Sequence, residues 1–145
     1  MKKVFLTFLV LWSVSLFGAE IKWVENFSVA MQKAQKEHKP IIFIASKHGC
    51  KYCTMLKDTT LKDKSVIEKI NKNFIALDLY LDESKNLVPY MVAVYTKGFP
   101  TIWFLDPNAK ALFQPIGGYI DAKTMNQALD MVTQVYNDAQ KKGKK

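Results

Sequence analysis

Both cysteines of the 145-residue chain lie in one Cys-x-x-Cys sequence, Cys50-Lys51-Tyr52-Cys53. Two thiols at this spacing can form a structural disulfide, ligate a metal or exchange electrons with other disulfides. A structural disulfide would close a loop of only four residues, worth roughly 2 kcal/mol by the loop-entropy relation before strain is subtracted. Because a disulfide that serves stability joins distant segments, the spacing disfavours this interpretation.

A metal site would need further ligands beside the two cysteines. Zinc in structural sites is bound by four protein ligands, and the histidines of the chain are His38 and His48. Neither histidine has the spacing of a zinc finger. We therefore expect no bound metal, and a metal carrier remains an alternative function.

Thiol–disulfide exchange fits the position of the pair. Cys50 stands where a helix is predicted to begin, and the free N–H groups and positive dipole end of a helix favour a thiolate. Such positions lower the pKa of a cysteine from about 8.5 into the range of roughly 3.5–7.5. Lys51, and His48 if it is protonated, act in the same direction. Cys53 lies one turn deeper, so the sequence predicts that Cys50 attacks a substrate disulfide and that Cys53 resolves the mixed disulfide.

The elements around the cysteines are predicted from hydrophobic spacing and helix-ending residues. Phe27, Ala30, Met31 and Ala34 recur at helical spacing, and this helix ends near His38, before Pro40. The continuous apolar run Ile41–Ala45 predicts a strand buried on both faces. The loop Ser46–Gly49 follows it, and Cys50 then opens the second helix.

The remaining predicted elements alternate in type. The predicted strands are an edge strand at Ile21–Val24, a central strand at Phe74–Leu81, and a strand at Thr101–Leu105 whose hairpin partner is Ala111–Gln114, ended by Gly117-Gly118. After a kink at Thr59–Lys64, a helix capped by Asp63 or Ser65 is predicted, and a short helix is predicted at Leu87–Tyr95. A last helix is capped by Asp121 and has the apolar stripe Met125, Ala128, Leu129, Val132 and Tyr136. The first two long strands must be parallel, joined by a right-handed crossover. The order predicts an α/β fold with helices on both faces of one sheet.

Composition and charge exclude several classes. A chain with 49% hydrophobic residues can bury a core, so disorder, collagen-like repeats and a small disulfide scaffold are excluded. No apolar run reaches the roughly 20 residues of a spanning helix, which excludes a polytopic membrane protein. The net charge of +8 comes from lysine alone, whereas nucleic-acid readers rely on arginine. We expect no nucleic-acid partner; a weak attraction to acidic partners or anionic lipids is the alternative.

The N-terminus has the parts of a secretory signal. Lys2 and Lys3 precede the apolar run Val4–Phe17, and Gly18 and Ala19 follow it. We predict a signal peptide over residues 1–19 and export to the periplasm in a Gram-negative cell. Phe17 is bulky for its place before the cut, so an uncleaved membrane anchor is the alternative. Residues 20–137 are then one domain, and residues 138–145 a basic, frayed tail.

Several segments together resemble the thioredoxin-like family. They are Lys39–Ile44 leading into the cysteine pair, Val66–Ile70 with Asn73–Ile75, Gly98-Phe99-Pro100-Thr101 with Ile102–Asp106, and Gly117-Gly118-Tyr119. The chain is most similar to exported thioredoxin-like thiol–disulfide oxidoreductases of the SoxW type and to the C-terminal periplasmic domain of the reductant conductor DsbD. The resemblance covers nearly all of residues 22–136.

The resemblance implies a thioredoxin fold, with a central mixed sheet flanked by helices on both faces. It implies a cis bond between Phe99 and Pro100, facing the cysteines, and a free Phe99 backbone that pairs with an extended substrate strand. An ordinary trans proline at a strand start is the alternative. Tyr52 would be exposed and could touch substrate. The Cys50–Cys53 pair would be the redox-active disulfide, with no other cofactor.

The chain departs from this family in its acidic residues. Thioredoxins keep a buried acid on the strand before the cysteines, but Pro40–Gly49 has no carboxylate, and Lys57 stands where the DsbD-like proteins have an acid. Asp78 is the candidate substitute, lying beneath Cys53 as its proton acceptor; a solvent-facing strand residue is the alternative. His48 either tunes Cys50 or is a solvated loop residue. We expect Trp103, Phe104 and the segment Tyr90–Tyr95 to pack in the core.

The resulting functional prediction is a periplasmic thiol–disulfide oxidoreductase that reduces oxidised protein substrates. Its electrons would come from a membrane donor of the DsbD/CcdA kind, and we expect a monomer. A disulfide oxidase or isomerase, and a thioredoxin-fold binding or chaperone module without turnover, are the alternatives.

Overall fold

The structure, a computed structural model, describes residues 19–84 and 87–143. Its sheet has five strands in the order β1-β3-β2-β4-β5. The strands are β1 Trp23–Val24, β2 Ile41–Ser46, β3 Ile75–Tyr80, β4 Thr101–Leu105 and β5 Ile116–Gly117. The helices are α1 Phe27–Glu37, α2 Lys51–Asp58, α3 Lys64–Asn73, α4 Leu81–Ser84, α5 Tyr90–Tyr95 and α6 Ala122–Lys142, with a 3₁₀ turn at Thr60–Lys62.

The two central strands set the position of the cysteines. β2 and β3 run parallel, from Ile41 beside Ile75 to Ser46 beside Tyr80, and β4 runs antiparallel to β2 on its other side. Every residue of β2 is buried, as the continuous apolar run predicted for a strand covered on both faces. The carboxyl ends of β2 and β3 therefore meet at one edge of the sheet, directly before the loop to Cys50.

Helices cover both faces of the sheet, which confirms the predicted fold class. On one face α1, α4 and α5 pack over side chains that include Phe43 and Trp103. On the other face α2, α3 and α6 pack over side chains that include Ile44 and Phe104. Each fully buried side chain of this size contributes about 1.5–3 kcal/mol of transfer free energy. The predicted stripe of α6, from Met125 to Tyr136, is buried as expected.

Side-chain caps fix where the long helices begin. Asn26 caps α1 by accepting a hydrogen bond from the Val29 amide at 2.9 Å. Asp63, rather than Ser65, caps α3, and its carboxylate accepts from the amides of Ser65 and Val66. Asp121 caps α6 in the same way, as predicted. These bonds satisfy amides that would otherwise have no partner within the helix.

The predicted hairpin partner of β4 is wrong. Ala111 makes only an isolated bridge with Leu105, and the strand that pairs with β4 is Ile116–Gly117, beside Thr101 and Ile102. The chain leaves the sheet after this bridge and returns after Pro115, which has no amide hydrogen for a ladder. Gly117 is thus part of the strand that it was expected to end.

Further features of the structure differ from the sequence-based expectation. Leu81 opens α4 instead of ending β3. Four side chains of the Tyr90–Tyr95 segment are exposed rather than packed in the core. α6 continues to Lys142, so residues 138–142 of the expected tail are helical.

The predicted signal falls almost entirely outside the described residues, which begin at Ala19. Within the described part of the chain, no helix combines the length and apolar character needed to cross a membrane. The last two residues of the expected tail, Lys144 and Lys145, also lie outside the described residues.

Candidate functional site

Cys50 and Cys53 are joined by a disulfide at the N-terminus of α2. Cys50 is the cap of this helix, and its Sγ accepts a hydrogen bond from the Cys53 amide at 3.2 Å. Cys50 is half-buried, whereas Cys53 is only 3% exposed. A partner can therefore reach the Cys50 sulfur and not the Cys53 sulfur. After reduction, the amides and dipole of the helix favour a thiolate at Cys50.

Pro100 lies beside the strand end that leads to the cysteines. The Phe99–Pro100 peptide bond is cis, and the pairing of Ala45 with Thr101 places Pro100 next to Ser46. The Pro100 carbonyl accepts a hydrogen bond from the Gly118 amide at 2.7 Å. Gly118 has a φ of 86°, a left-handed conformation that glycine adopts without steric cost. This turn fixes the proline loop against the end of the sheet.

A partly buried ion pair joins α2 to β3, on the face of the sheet that α2 covers. The Lys57 ammonium is 2.5 Å from the Asp78 carboxylate and donates to the Tyr80 hydroxyl at 2.9 Å. The Ser46 hydroxyl donates to the other Asp78 oxygen at 2.7 Å. The Asp78 side chain is 17% exposed, so it is mostly withdrawn from solvent and borders an open cavity on one side.

Two opposing effects act on the pKa of Lys57. Burial lowers the pKa of Lys57, but its hydrogen bonds to Asp78 and Tyr80, together with their charges, outweigh burial and leave the pKa above its ordinary value. Lys57 is therefore an ammonium at neutral pH. It follows Cys53 by four residues on α2, so the two side chains lie on one face of the helix.

His48 is held by contacts to the last residue of β3 and to the following helix α4. Its Nδ1 lies 2.9 Å from an Asp82 oxygen, and its ring stacks on Tyr80 with the centroids 4.1 Å apart. Burial raises the pKa of the Asp82 carboxyl, but hydrogen bonds from His48 bring the net pKa below the ordinary value. Because Tyr80 contacts both His48 and Lys57, a chain of contacts joins the loop before Cys50 to the turn after Cys53.

Sequence reasoning named His48, Lys57 and Asp78 but missed their partners. Those partners are Ser46, Tyr80 and Asp82. Ser46 and Tyr80 are neighbours because they end adjacent parallel strands. The alternation of side chains along β3 could have placed Asp78 and Tyr80 on one face, but the strand register was needed to bring Ser46 beside them.

The other predicted site residues lie around this centre. Lys51 is the first residue of α2 and is exposed, and Tyr52 is 57% exposed. Phe99 is half-buried at the edge of the core. Among residues 19–84 and 87–143, no group of three or more His, Cys, Asp or Glu side chains is placed to hold a metal ion.

Sequence comparison places the chain in a known family. The model of the thioredoxin-like domain matches residues 27–133. Anterior gradient protein 3 of Mus musculus is 31% identical over 104 residues, which is 71% of this chain and 60% of that protein. The chain thus spans less than two thirds of the length of this relative.

Solved structures with a similar fold include disulfide-exchange proteins. A DsbH oxidoreductase superposes with a TM-score of 0.64 at 16% identity, covering 81% of this chain and 87% of that one. The C-terminal domain of Neisseria meningitidis DsbD in its oxidised form gives a TM-score of 0.56 at 20% identity, covering 72% and 90%. At these identities the likeness shows the fold.

The family match covers most of the chain, and the sheet, the helices on both faces and the intact Cys-x-x-Cys agree with it. The chain therefore belongs to the thioredoxin-like domain family, and the prediction of a thioredoxin-like oxidoreductase is confirmed at the level of the family.

Proposed function

We propose that this protein is a thiol–disulfide oxidoreductase that reduces the disulfides of proteins in the periplasm. The observation that carries the proposal is the asymmetry of the cysteine pair at the N-terminus of α2. The Cys50 sulfur is reachable and lies at the electropositive end of the helix, whereas Cys53 is 3% exposed. The proline loop beside Ser46 adds a surface on which an extended substrate strand can pair.

The reaction proceeds in two exchange steps from the reduced dithiol. The Cys50 thiolate attacks one sulfur of a substrate disulfide, forms a mixed disulfide and expels the other substrate sulfur as a thiolate, which takes a proton from water. The Cys53 thiol loses its proton and attacks the Cys50 sulfur, which expels the second substrate thiolate. Two electrons pass to the substrate, and the Cys50–Cys53 disulfide remains.

We propose Asp78 as the acceptor of the Cys53 proton. Lys57 and Ser46 hold the carboxylate in place, and Lys57 shares a helix face with Cys53. Lys57 and Asp78, together with Glu20, line an open cavity of about 870 Å³. A proton can therefore leave Asp78 for bulk water on a side away from the reachable sulfur.

Regeneration of the dithiol requires an electron donor. We propose a membrane conductor of the DsbD/CcdA kind, which fits an exported protein. The basic and apolar N-terminus supports export. Fractionation of cells that express the full chain checks the location: recovery with cytoplasmic markers would contradict it.

Reduction of insulin by the full chain tests the proposed activity. Wild type is expected to accelerate precipitation of the insulin B chain, and Cys50→Ser to lose the acceleration. Cys53→Ser should accumulate a mixed disulfide, because the resolving sulfur is absent. If wild type and Cys50→Ser were equally inert with every reductant, the protein would be a binding module without turnover.

Equilibration with glutathione tests the direction of electron flow. A reduction potential near the roughly −270 mV of thioredoxin supports a reductase. A potential near the roughly −120 mV of DsbA would instead make the protein an oxidase.

A further inference from the structure

The outward face of α5 is apolar although it is open to solvent. Tyr90, Met91, Val94 and Tyr95 are 78%, 57%, 37% and 54% exposed. At 100° per residue these four side chains fall within an arc of about 140°, on the side away from Val92. Val92 is 1% exposed and anchors the helix in the core. An exposed patch of this kind marks an interaction surface, and tyrosine and methionine are enriched in such surfaces.

This face is continuous with the reacting centre through a groove. The groove has a volume of about 280 Å³ and is lined by Lys47, Leu81, Asp82, Ala93, Thr96 and Phe99. Ala93 lies about 60° around α5 from Tyr90, so the groove and the apolar face share an edge. Phe99 directly precedes Pro100, and Lys47 belongs to the loop that leads to Cys50.

The chemistry of the face selects the kind of partner. The segment Tyr90–Tyr95 carries no charged residue, so a partner must supply apolar groups to gain from binding. A folded protein exposes its surface apolar side chains mostly singly and scattered, whereas an unfolded chain presents runs of them next to its cysteines. Flexible Met91 and amphipathic tyrosines can accept varied side chains without a fixed complementary shape.

We infer that the α5 face and its groove bind unfolded polypeptide, so that the disulfides reduced are those of incompletely folded proteins. This inference rests on the proposed function and names the substrate class of the same site. The substrate cysteine would lie at Cys50, the adjoining substrate backbone would lie in the groove, and the apolar side chains of the substrate would contact Tyr90 and Val94.

The test compares an unfolded protein substrate with a small disulfide. Wild type and the double variant Tyr90→Ser/Tyr95→Ser are assayed with scrambled ribonuclease A and with glutathione disulfide. We expect the kcat/KM for scrambled ribonuclease A, divided by the kcat/KM for glutathione disulfide, to fall by about 5–20-fold in the variant, because two aromatic contacts with the protein substrate are lost. The matched control is Met131→Ser/Val135→Ser, since these α6 side chains are also 53% and 42% exposed. It should leave the ratio unchanged.

An unchanged ratio in the tyrosine variant, or an equal fall in the α6 control, would overturn the inference. A binding arm separates it from the proposed function. Reduced, carboxymethylated ribonuclease A has no disulfide, and its binding to the full chain is measured by fluorescence anisotropy. A loss of at least about 5-fold in affinity in the tyrosine variant alone supports the inference even if wild type reduces neither substrate. Equal affinity, or a change only in self-association by sedimentation, contradicts it.

Discussion

At the scale of single residues, the distinctive feature is a lysine and an acid that depend on each other. The side chains of Lys57 and Asp78 are only 24% and 17% exposed. Removing either partner leaves a charge in a place where water solvates it poorly. The segment Pro40–Gly49 before the cysteines contains no carboxylate, and Lys57 on α2 pairs with the β3 carboxylate of Asp78.

A double-mutant cycle on this pair checks that dependence. Lys57→Met is expected to destabilise the fold because Asp78 keeps a poorly solvated charge, and adding Asp78→Asn should recover part of the loss. The coupling free energy should lie at about 0.5–3 kcal/mol by urea denaturation at pH 7. Additive effects of the two substitutions would contradict the mutual dependence.

The Lys57–Asp78 pair also makes the free energy of unfolding depend on pH in the alkaline range. The folded-state pKa of Lys57 lies above its ordinary 10.5. The stabilisation from the pair is therefore fully present below pH 10.5 and is lost as the pH rises through the folded-state pKa. The difference in unfolding free energy between wild type and Lys57→Met should shrink above pH 10.5. A difference that stays constant up to pH 12 would show that the charge of Lys57 does not contribute.

The proton-acceptor role of Asp78 is tested separately by kinetics. Asp78→Asn should slow the second exchange step by about 10²–10⁴-fold, the usual contribution of a positioned base, and leave the first step close to wild type. Quenched-flow trapping of the mixed disulfide measures both steps. Unchanged single-turnover kinetics would remove Asp78 from the mechanism.

At the scale of elements, α2 determines where both sulfurs stand. Leu56 is fully buried on its inner side and lies in the core with Ile44 and Ile70. This contact holds the helix against the sheet, while Cys50 caps its first turn. The position of the cysteines is therefore set by packing one turn away from them.

Truncation of the Leu56 side chain should destabilise the whole fold. Leu56→Ala is expected to lower the unfolding free energy by about 2–5 kcal/mol, because it removes buried methyl groups and leaves a cavity. Leu87→Ala is the matched control, since Leu87 is 68% exposed, and its effect should stay within about 0.5 kcal/mol. Chemical denaturation measures both; similar losses would contradict the packing role of Leu56.

At the scale of the whole molecule, the net charge of +8 is carried by lysines. Lys47, Lys51 and Lys97 are exposed on the segments around the cysteines and the proline loop. A positive field around a reaction site accelerates the approach of acidic partners and weakens as salt screens it.

The kcat/KM for an acidic protein substrate should therefore fall several-fold between 20 and 300 mM NaCl. A neutral peptide disulfide is the comparison, and its rate should change little. Stopped-flow kinetics with both substrates measures this difference. Equal salt dependence would show that the lysines do not steer the encounter.

Features that depend on neighbours in the chain could be predicted from the sequence. The burial of β2, the caps of α3 and α6 and the place of Cys50 at the start of α2 were all indicated by local residue types and spacing. The prediction of the strand that pairs with β4 was wrong, because the turn after Asp106 is followed by a segment outside the sheet. The prediction that Tyr90–Tyr95 packs in the core was wrong, because an apolar helix face does not itself show whether another element covers it.

The sequence alone determined the two sulfurs, the helix that holds them and the family to which the chain belongs. The tertiary structure decided which polar side chains meet around that helix. Ser46 and Asp78 are 32 residues apart, and His48 and Asp82 are 34 apart. Such pairs form only when parallel strands align in one register, because register sets which side chains share a face and an edge.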